Sequence, residues 1–258
     1  MRKVARAVFK RILVMEDEDM KAISNDDLDG IVSVMERLCK MMEGGFHKPL
    51  EKFKLALANK CLQSSNLAKR LYGLNTINKL IEMAGRKDTE DRHKSLGMDM
   101  TYDYFPQSTF PNSIITKKRY ITHMTQMGKG PPTTKWITVP YMIAWLQKVN
   151  IVEELFGKKI HSELVGRSQD ILRLLTQHNQ FKEEYLDLLW NAVAGKGKQE
   201  RIIEIVFSMV EVLTPFFTPE HVDYLLSKIR DSEAYESKSL LLMKLLTLQQ
   251  LSEDEDQV

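Results

Sequence analysis

Two cysteines and six histidines are the side chains of this sequence with the most obvious capacity for chemistry. A cysteine nucleophile needs a neighbouring base and an electropositive setting that stabilises its thiolate. Cys39 lies in the stretch RLCK and Cys61 in KCL, both on predicted apolar helix faces. Free cysteines in such positions are usually small buried hydrophobes. We therefore predict that neither thiol is catalytic.

The histidines form no pair at the spacing that metal ligands usually have on a helix or in a Cys-x-x-Cys unit. A glycine-flanked serine elbow and a phosphate-binding glycine loop are also absent from the sequence. The nearest glycine-rich stretch, residues 195–198 (GKGK), is predicted to be a tight turn with a basic tip. We predict no catalytic, cofactor-binding or metal-binding residue. The histidines are His47, His93, His123, His161, His178 and His221.

The composition is that of an ordinary packed protein with a weak overall field. The chain has 258 residues, 43% of them hydrophobic, and 37 basic against 35 acidic residues give a formal charge of +2. This balance disfavours a dedicated nucleic-acid binder. No apolar run reaches 18 residues, so we expect a soluble protein without a membrane span. Two cysteines in a chain of this length favour a reducing compartment.

The elements that would position any site are predicted to be helices throughout. In residues 181–194 (FKEEYLDLLWNAVA) apolar side chains recur at three-and-four spacing, as on one helix face. The pattern Glu184, Asp187 and Leu189 returns about 36 residues later as Glu220, Asp223 and Leu225, which favours a helical solenoid. Trp145 and Trp190 are predicted to anchor the core.

Helix boundaries follow from capping residues, glycines and prolines. Residues 24–27 begin one helix, Ser65 caps another that ends at Gly85, and Thr138 with Pro140 begins a third. Further helices are predicted over residues 49–62, 141–149, 151–156, 160–178, 202–213 and 235–251. Residues 1–15 are basic, which is also typical of a mitochondrial presequence. We interpret them as an exposed amphipathic helix that continues into MEDEDMKAI.

The predicted organisation has one long interruption. We predict N-terminal helical repeats in residues 1–85, a flexible insertion in 86–135, C-terminal helical repeats in 136–251 and an acidic tail in 252–258. The insertion holds four prolines together with aromatic and basic residues. Such residues can stack on single-stranded nucleic acid or bind an acidic partner. Because no nucleic-acid motif surrounds them, we favour a solvated, variable linker that binds no ligand. They are Tyr102, Tyr104, Phe105, Phe110, Lys117, Lys118, Arg119 and Tyr120.

Several ordered segments resemble the long helical region of large ubiquitin-specific proteases of the fat-facets type. The first is residues 69–81 (KRLYGLNTINKLI), followed by Ala144-Trp145-Leu146 and Asn150-Ile151-Val152. Residues 186–192 (LDLLWNA) with Gly195-Lys196, and residues 217–225 (FTPEHVDYL), resemble later elements of that region. The resemblance spans roughly residues 64–229 and implies an armadillo- or HEAT-like fold.

The resemblance also implies a role. That family carries its catalysis in a papain-like domain with a Cys box and a His box, and the settings of Cys39 and Cys61 match neither. The implied function is a cytoplasmic or also nuclear scaffold that binds ubiquitinated substrates or adaptor proteins and needs no cofactor. A free-standing helical adaptor unrelated to ubiquitin is the alternative, and a stand-alone cysteine hydrolase is a third. The partner, the binding face and the oligomeric state stay open.

Overall fold

The computed structural model describes residues 2–41, 47–95, 137–157, 159–194 and 197–230. Within these ranges every regular element is helical and there is no β-strand, which confirms the all-α prediction. A 3-10 turn, Thr214–Phe216, follows the helix Glu200–Leu213. The helices in chain order are α1 (Arg2–Val14), α2 (Asp17–Ala22), α3 (Asn25–Lys40), α4 (His47–Leu62), α5 (Leu67–Ser95), α6 (Val139–Lys148), α7 (Ile151–Phe156), α8 (Ser162–Gly166), α9 (Gln169–Gln177), α10 (Glu183–Val193), α11 (Glu200–Leu213) and α12 (Pro219–Arg230).

Two predicted start signals work as their chemistry suggests. The Ser24 hydroxyl accepts the Asp27 N–H at 3.0 Å, and the Asp27 carboxylate accepts the Ser24 N–H at 3.3 Å. The Thr138 hydroxyl accepts the Tyr141 N–H at 3.4 Å, with Pro140 in the first turn of α6. These bonds satisfy amide groups that a helix leaves without partners in its first turn.

The internal repeat is visible as a pair of equivalent helices. Helices α10 and α12 contact each other, and the Tyr224 hydroxyl on α12 donates to the Asp187 carboxylate on α10 at 2.7 Å. The repeated apolar positions are all buried, so the repeat in the sequence is a repeat of core packing. These positions are Leu186, Leu189, Val222 and Leu225.

The buried side chains form two hydrophobic clusters that share α4. The main cluster extends from α4 to α12, and the N-terminal cluster is built from α1 to α4. Because α4 is apolar on opposite sides, it belongs to both. Its residues Leu55, Ala58 and Leu62 lie in the main cluster, and Phe53, Leu57 and Cys61 lie in the N-terminal one.

Gly73 sets the close approach of α4 and α5. A Cβ atom at Gly73 would lie 2.4 Å from the Ala58 carbonyl oxygen and 2.9 Å from the Leu62 nitrogen. Only a residue without a side chain fits this crossing. Residues 69–81, which resemble the fat-facets-type proteases, therefore include one position, Gly73, whose residue type is required by helix packing.

The helix that was predicted to end at Gly85 continues to Ser95. Gly85 does not have the positive φ of a helix stop, and the only described glycine that does is Gly197, at 79°. The predicted cap Ser65 is also wrong. Asn66 caps α5 by accepting the Ala68 N–H at 2.9 Å, because the Ser65 hydroxyl donates to Asp17, 48 residues earlier.

Two predicted helices are each divided in the structure. Residues 160–178 form α8 and α9, because the buried Ser168 turns its hydroxyl back to the Val165 carbonyl at 2.7 Å. The apolar stripe of Leu164, Ile171, Leu172 and Leu175 is nonetheless buried as predicted. Residues 2–22 form α1 and α2, since Glu16 adopts an extended conformation between them. The prediction that α1 is an exposed helix is only partly right, because one face of it, with Ala5 and Ile12, is buried in the N-terminal cluster.

Some predictions concern residues that the structure does not describe. They are residues 96–135 of the insertion with its aromatic and basic residues, residues 195 and 196 of the predicted tight turn, the helix at 235–251 and the tail at 252–258. The division into four segments stays a prediction, although α5 extends into the first ten residues of the predicted insertion. Trp145 and Trp190 pack against the main cluster, as predicted.

Candidate interaction surface

Both cysteine thiols are buried in the helical array. Cys61 has no exposed surface, and burial raises the pKa of its thiol to about 12. Cys39 is also buried. Its burial is the larger cause of the raised pKa of its thiol, and the negative charge of Glu36 is the smaller one. A buried neutral thiol is a poor nucleophile, because the thiolate is the reactive form. This geometry argues against the cysteine hydrolase hypothesis.

Two of the described histidines, His161 and His221, make contacts that support the fold. His161 accepts the Glu163 N–H at 3.3 Å at the start of α8, and His178 is exposed at the C-terminal end of α9. His221 is buried against Phe181 and Phe217, at 5.8 Å between ring centroids in each case. In the part of the chain that the structure describes, no three metal-ligating side chains come together.

No helix in that part is both long and apolar enough to cross a membrane.

Two adjacent buried cations join separate parts of the array, and the sequence reasoning missed both roles. The Lys69 ammonium donates to the Asn25 side chain on α3 at 2.9 Å. Arg70, only 4% exposed, donates to the carbonyl oxygens of Leu62 at 3.1 Å, Glu154 at 2.9 Å and Lys159 at 2.5 Å. An arginine can serve three acceptors because its guanidinium carries several donors in a rigid plane.

Two carboxylates make further links between distant segments. The buried Glu51 side chain accepts the Ile137 N–H at 2.9 Å, which fixes the chain just before α6 to α4. Asp17 at the start of α2 accepts the hydroxyls of Ser64 and Ser65, each at 2.5 Å. These bonds hold the pKa of Asp17 well below its usual range, with the Ser64 bond as the largest cause. Helix α4 and the α4–α5 corner are thus tied to α2 on one side and to the chain before α6 on the other.

An open, mostly apolar groove lies between α1, α2 and α3. Its main part encloses about 680 Å³, and a second part of about 360 Å³ shares Val8 and Ile31 with it. We call the two together the α1–α3 groove. The lining residues are Ala7, Val8, Arg11, Ile12, Met15, Asp19, Ala22, Ile23, Asp26, Asp27, Gly30, Ile31 and Val34.

An apolar row on α1 and another on α3 contribute Val8, Ile31 and Val34 to the lining of the α1–α3 groove. Val4 is 53% exposed one turn before Val8 on α1, and Val34 is 52% exposed one turn after Ile31 and Gly30 on α3. Such rows at three-and-four spacing normally pack against another helix. Helical periodicity could have indicated each row separately. It could not have shown that residues 8 and 31 share one groove, because that depends on how α1 and α3 cross.

The fold and this surface define a class of protein. Successive helices pack on their neighbours in an all-helical array, an exposed groove lies between three of them, and both cysteines are buried. This arrangement is that of a helical-repeat protein of the armadillo type. The described residues hold no constellation that would define an enzyme active site.

Comparison with known proteins identifies the family. A family model described as the UBP24/USP9X/USP9Y ARM repeat matches residues 111–258, more than half of the chain, and the chain belongs to this family. The fold prediction and the resemblance to fat-facets-type ubiquitin-specific proteases are thereby confirmed. The chain is similar to a helical region of enzymes that are named as ubiquitin carboxyl-terminal hydrolases.

Three relatives illustrate the extent of the similarity. Ubiquitin carboxyl-terminal hydrolase 9Y of Mus musculus is 24% identical over 244 residues, which is 93% of this chain and 8% of that protein. The probable ubiquitin carboxyl-terminal hydrolase FAF of Drosophila melanogaster is 24% identical over 234 residues, 90% of this chain and 7% of that protein. The human 9Y hydrolase is 28% identical over 145 residues, 56% of this chain and 6% of that protein. The chain thus spans less than a tenth of the curated relatives it matches.

Proposed function

We propose that this chain is a non-catalytic protein-interaction segment of a large ubiquitin-specific protease. Its role is to support the removal of ubiquitin from protein substrates by a cysteine protease domain outside this chain. The observation that carries the proposal is the family match over residues 111–258, supported by relatives that are named as ubiquitin carboxyl-terminal hydrolases.

The burial of the thiols supports the non-catalytic part of the proposal. Hydrolysis of an isopeptide bond by cysteine requires a thiolate that the substrate carbonyl can reach. Neither Cys39 nor Cys61 meets this requirement in the described fold, because both are enclosed by helices. The catalytic nucleophile would therefore be supplied by another domain.

The shape of the molecule supports the interaction part. Solenoids of stacked helices present extended surfaces, and they bind other proteins through side chains that are spread over several repeats. The α1–α3 groove and the exposed valines beside it provide apolar area of the kind that marks protein interaction sites. Asp17 and Lys69 tie α2 and α3, which form two sides of this groove, to the α4–α5 corner.

The test uses the 9Y hydrolase of Mus musculus in three forms: intact, with its matching segment deleted, and with that segment replaced by this chain. Two activities are measured, hydrolysis of ubiquitin with a small C-terminal fluorogenic amide and removal of ubiquitin from cellular protein substrates. We expect the deletion to leave the small-substrate activity within about twofold and to slow protein deubiquitination about tenfold, a typical loss when substrate positioning fails. The replacement should restore at least half of the protein-substrate rate.

Three results would overturn the proposal. Equal loss of both activities would mean that the segment only stabilises the enzyme. Loss of neither, or no recovery with this chain, would favour the free-standing adaptor. A covalent adduct between the purified chain and ubiquitin propargylamide at Cys39 or Cys61 would instead establish a nucleophile in this chain.

A further inference from the structure

We propose that the α1–α3 groove binds one basic amphipathic α-helix of a partner protein, which packs between α1 and α3. This inference rests on the proposed function and names the place and the chemistry of one of its contacts. Three independent features of the groove carry it: the exposed apolar rows, an open glycine and the sign of the charged rim.

The apolar rows have the geometry that a third helix requires. Val4 and Val8 on α1 and Ile31 and Val34 on α3 are each separated by about one helical turn. Two such ridges, side by side, leave a channel into which the apolar ridge of another helix can pack. A helix of about four turns, roughly 21 Å long, would match the length of α1.

Gly30 lies between these rows, and no close packing within the described chain requires a glycine there. It is in the interior of α3, where glycine is unfavourable for a helix compared with alanine. At Gly73 the missing side chain is explained by the 2.4 Å approach of the Ala58 carbonyl, whereas a Cβ at Gly30 would meet nothing within 4 Å. A glycine on the floor of the groove lets the backbone of an incoming helix approach closely.

The charged rim selects a basic partner. Asp19, Asp26 and Asp27 line the α2–α3 side of the groove, and Arg11 lines the α1 side. Asp27 is also held by Ser24 and lies within the field of Lys69. The Asp19 carboxylate likewise accepts the Glu16 N–H at 3.5 Å. Together the three carboxylates give this side of the groove a negative charge, which lysine or arginine residues on the flank of a partner helix would complement.

The test is a fluorescence anisotropy titration of the purified chain with two labelled peptides of about 14 residues. Both carry leucines at the a, d and e positions of a helix, and the flanking positions are lysine in one and glutamate in the other. We expect saturable binding of the lysine peptide and at least tenfold weaker binding of the glutamate peptide. Asp26→Asn and Val34→Glu should each weaken lysine-peptide binding about fivefold or more.

A pair of glycine substitutions provides the matched control. Gly85 lies on α5, outside the groove, and a Cβ added there would likewise meet nothing within 4 Å. Both Gly30→Ala and Gly85→Ala should raise the urea midpoint of unfolding, since alanine favours the helix. Only Gly30→Ala should weaken peptide binding, by about fivefold or more. A loss of binding in a more stable protein cannot result from misfolding.

Several results would overturn the inference: no saturable binding, equal binding of the two peptides, or full binding by Gly30→Ala. Self-association of the chain that Val34→Glu abolishes would assign the groove to a second copy instead. The 9Y chimera separates this inference from the proposed function. If Gly30→Ala and Val34→Glu leave protein deubiquitination normal while deletion of the segment reduces it, the proposed function stands and this contact is rejected.

Discussion

Arg70 and Lys159 are 89 residues apart in the sequence, yet the Arg70 Nη1 atom donates to the Lys159 main-chain oxygen at 2.5 Å. The same guanidinium binds carbonyl oxygens of Leu62 and Glu154. One side chain therefore joins the end of α4, the start of α5 and the chain around α7. A buried cation in this position is satisfied by hydrogen bonds rather than by water.

Arg70→Lys should lower the free energy of unfolding by roughly 2–4 kcal/mol, because an ammonium cannot reach three carbonyl groups in different directions. Urea unfolding followed by circular dichroism measures the change. Arg86→Lys is the matched control on the same helix, since Arg86 forms an exposed ion pair with Glu82 and its replacement should cost no more than about 0.5 kcal/mol. Equal effects of the two substitutions would contradict the role of Arg70.

Gly73→Ala should separate α4 from α5. The added Cβ would meet the Ala58 carbonyl at 2.4 Å, and this neighbour is backbone that cannot rotate away. We expect a loss of about 1–3 kcal/mol or more in the free energy of unfolding, despite the better helix propensity of alanine. Thermal unfolding of the variant measures it, and an unchanged or raised Tm would show that the helices can move apart at no cost.

Cys61 should resist alkylation in the folded protein. At pH 8, raising the thiol pKa from 9.0 to about 12 lowers the thiolate fraction roughly a thousandfold, and burial excludes the reagent as well. Iodoacetamide labelling with mass spectrometry should therefore modify Cys61 quickly only in urea. Rapid labelling of Cys61 without denaturant would contradict the buried position.

The Asp17 contacts should make stability sensitive to acid. The folded state holds the pKa of Asp17 below its ordinary value of 3.8, so this contribution is complete at neutral pH and is lost as the pH falls below about 4. Asp17→Asn should be less stable than the natural chain at pH 7, and the difference should shrink as the pH is lowered toward 2.

Urea midpoints of both proteins at several pH values measure this convergence. Asp26→Asn provides the comparison, because Asp26 is also an acidic residue in the first turn of a helix but is not held by the two serines. A constant gap between Asp17→Asn and the natural chain from pH 7 to pH 2 would show that the bonds to Ser64 and Ser65 do not depend on the charge of Asp17.

Much of the fold could be predicted because its signals are local. Ser24 and Thr138 sit next to the amides they cap, and the stripe of Leu164 and Ile171 follows helical spacing. The predictions were wrong where a contact with a distant residue or with the backbone determines where a helix begins or ends. Ser65 fails as a cap because Asp17 takes its hydroxyl, and the helix over 160–178 divides because Ser168 bonds back to Val165.

The candidate surface was less accessible to sequence reasoning. Val8 and Ile31 come from separate helices, and their shared groove is a product of the crossing between α1 and α3. Gly30 looks like any helix-interior glycine in the sequence, and its position in the groove, rather than its open surroundings, separates it from Gly85. The partners of Arg70 are main-chain oxygens, which carry no residue-specific signal.

The sharing of α4 between two hydrophobic clusters determines how this segment can be divided. A cut before α4 would expose Phe53, Leu57 and Cys61, and a cut after it would strip Leu55, Ala58 and Leu62 from the main cluster. Neither half would then be an autonomous folding unit. Amide protons of α4 should accordingly exchange with deuterium only when the whole described array opens.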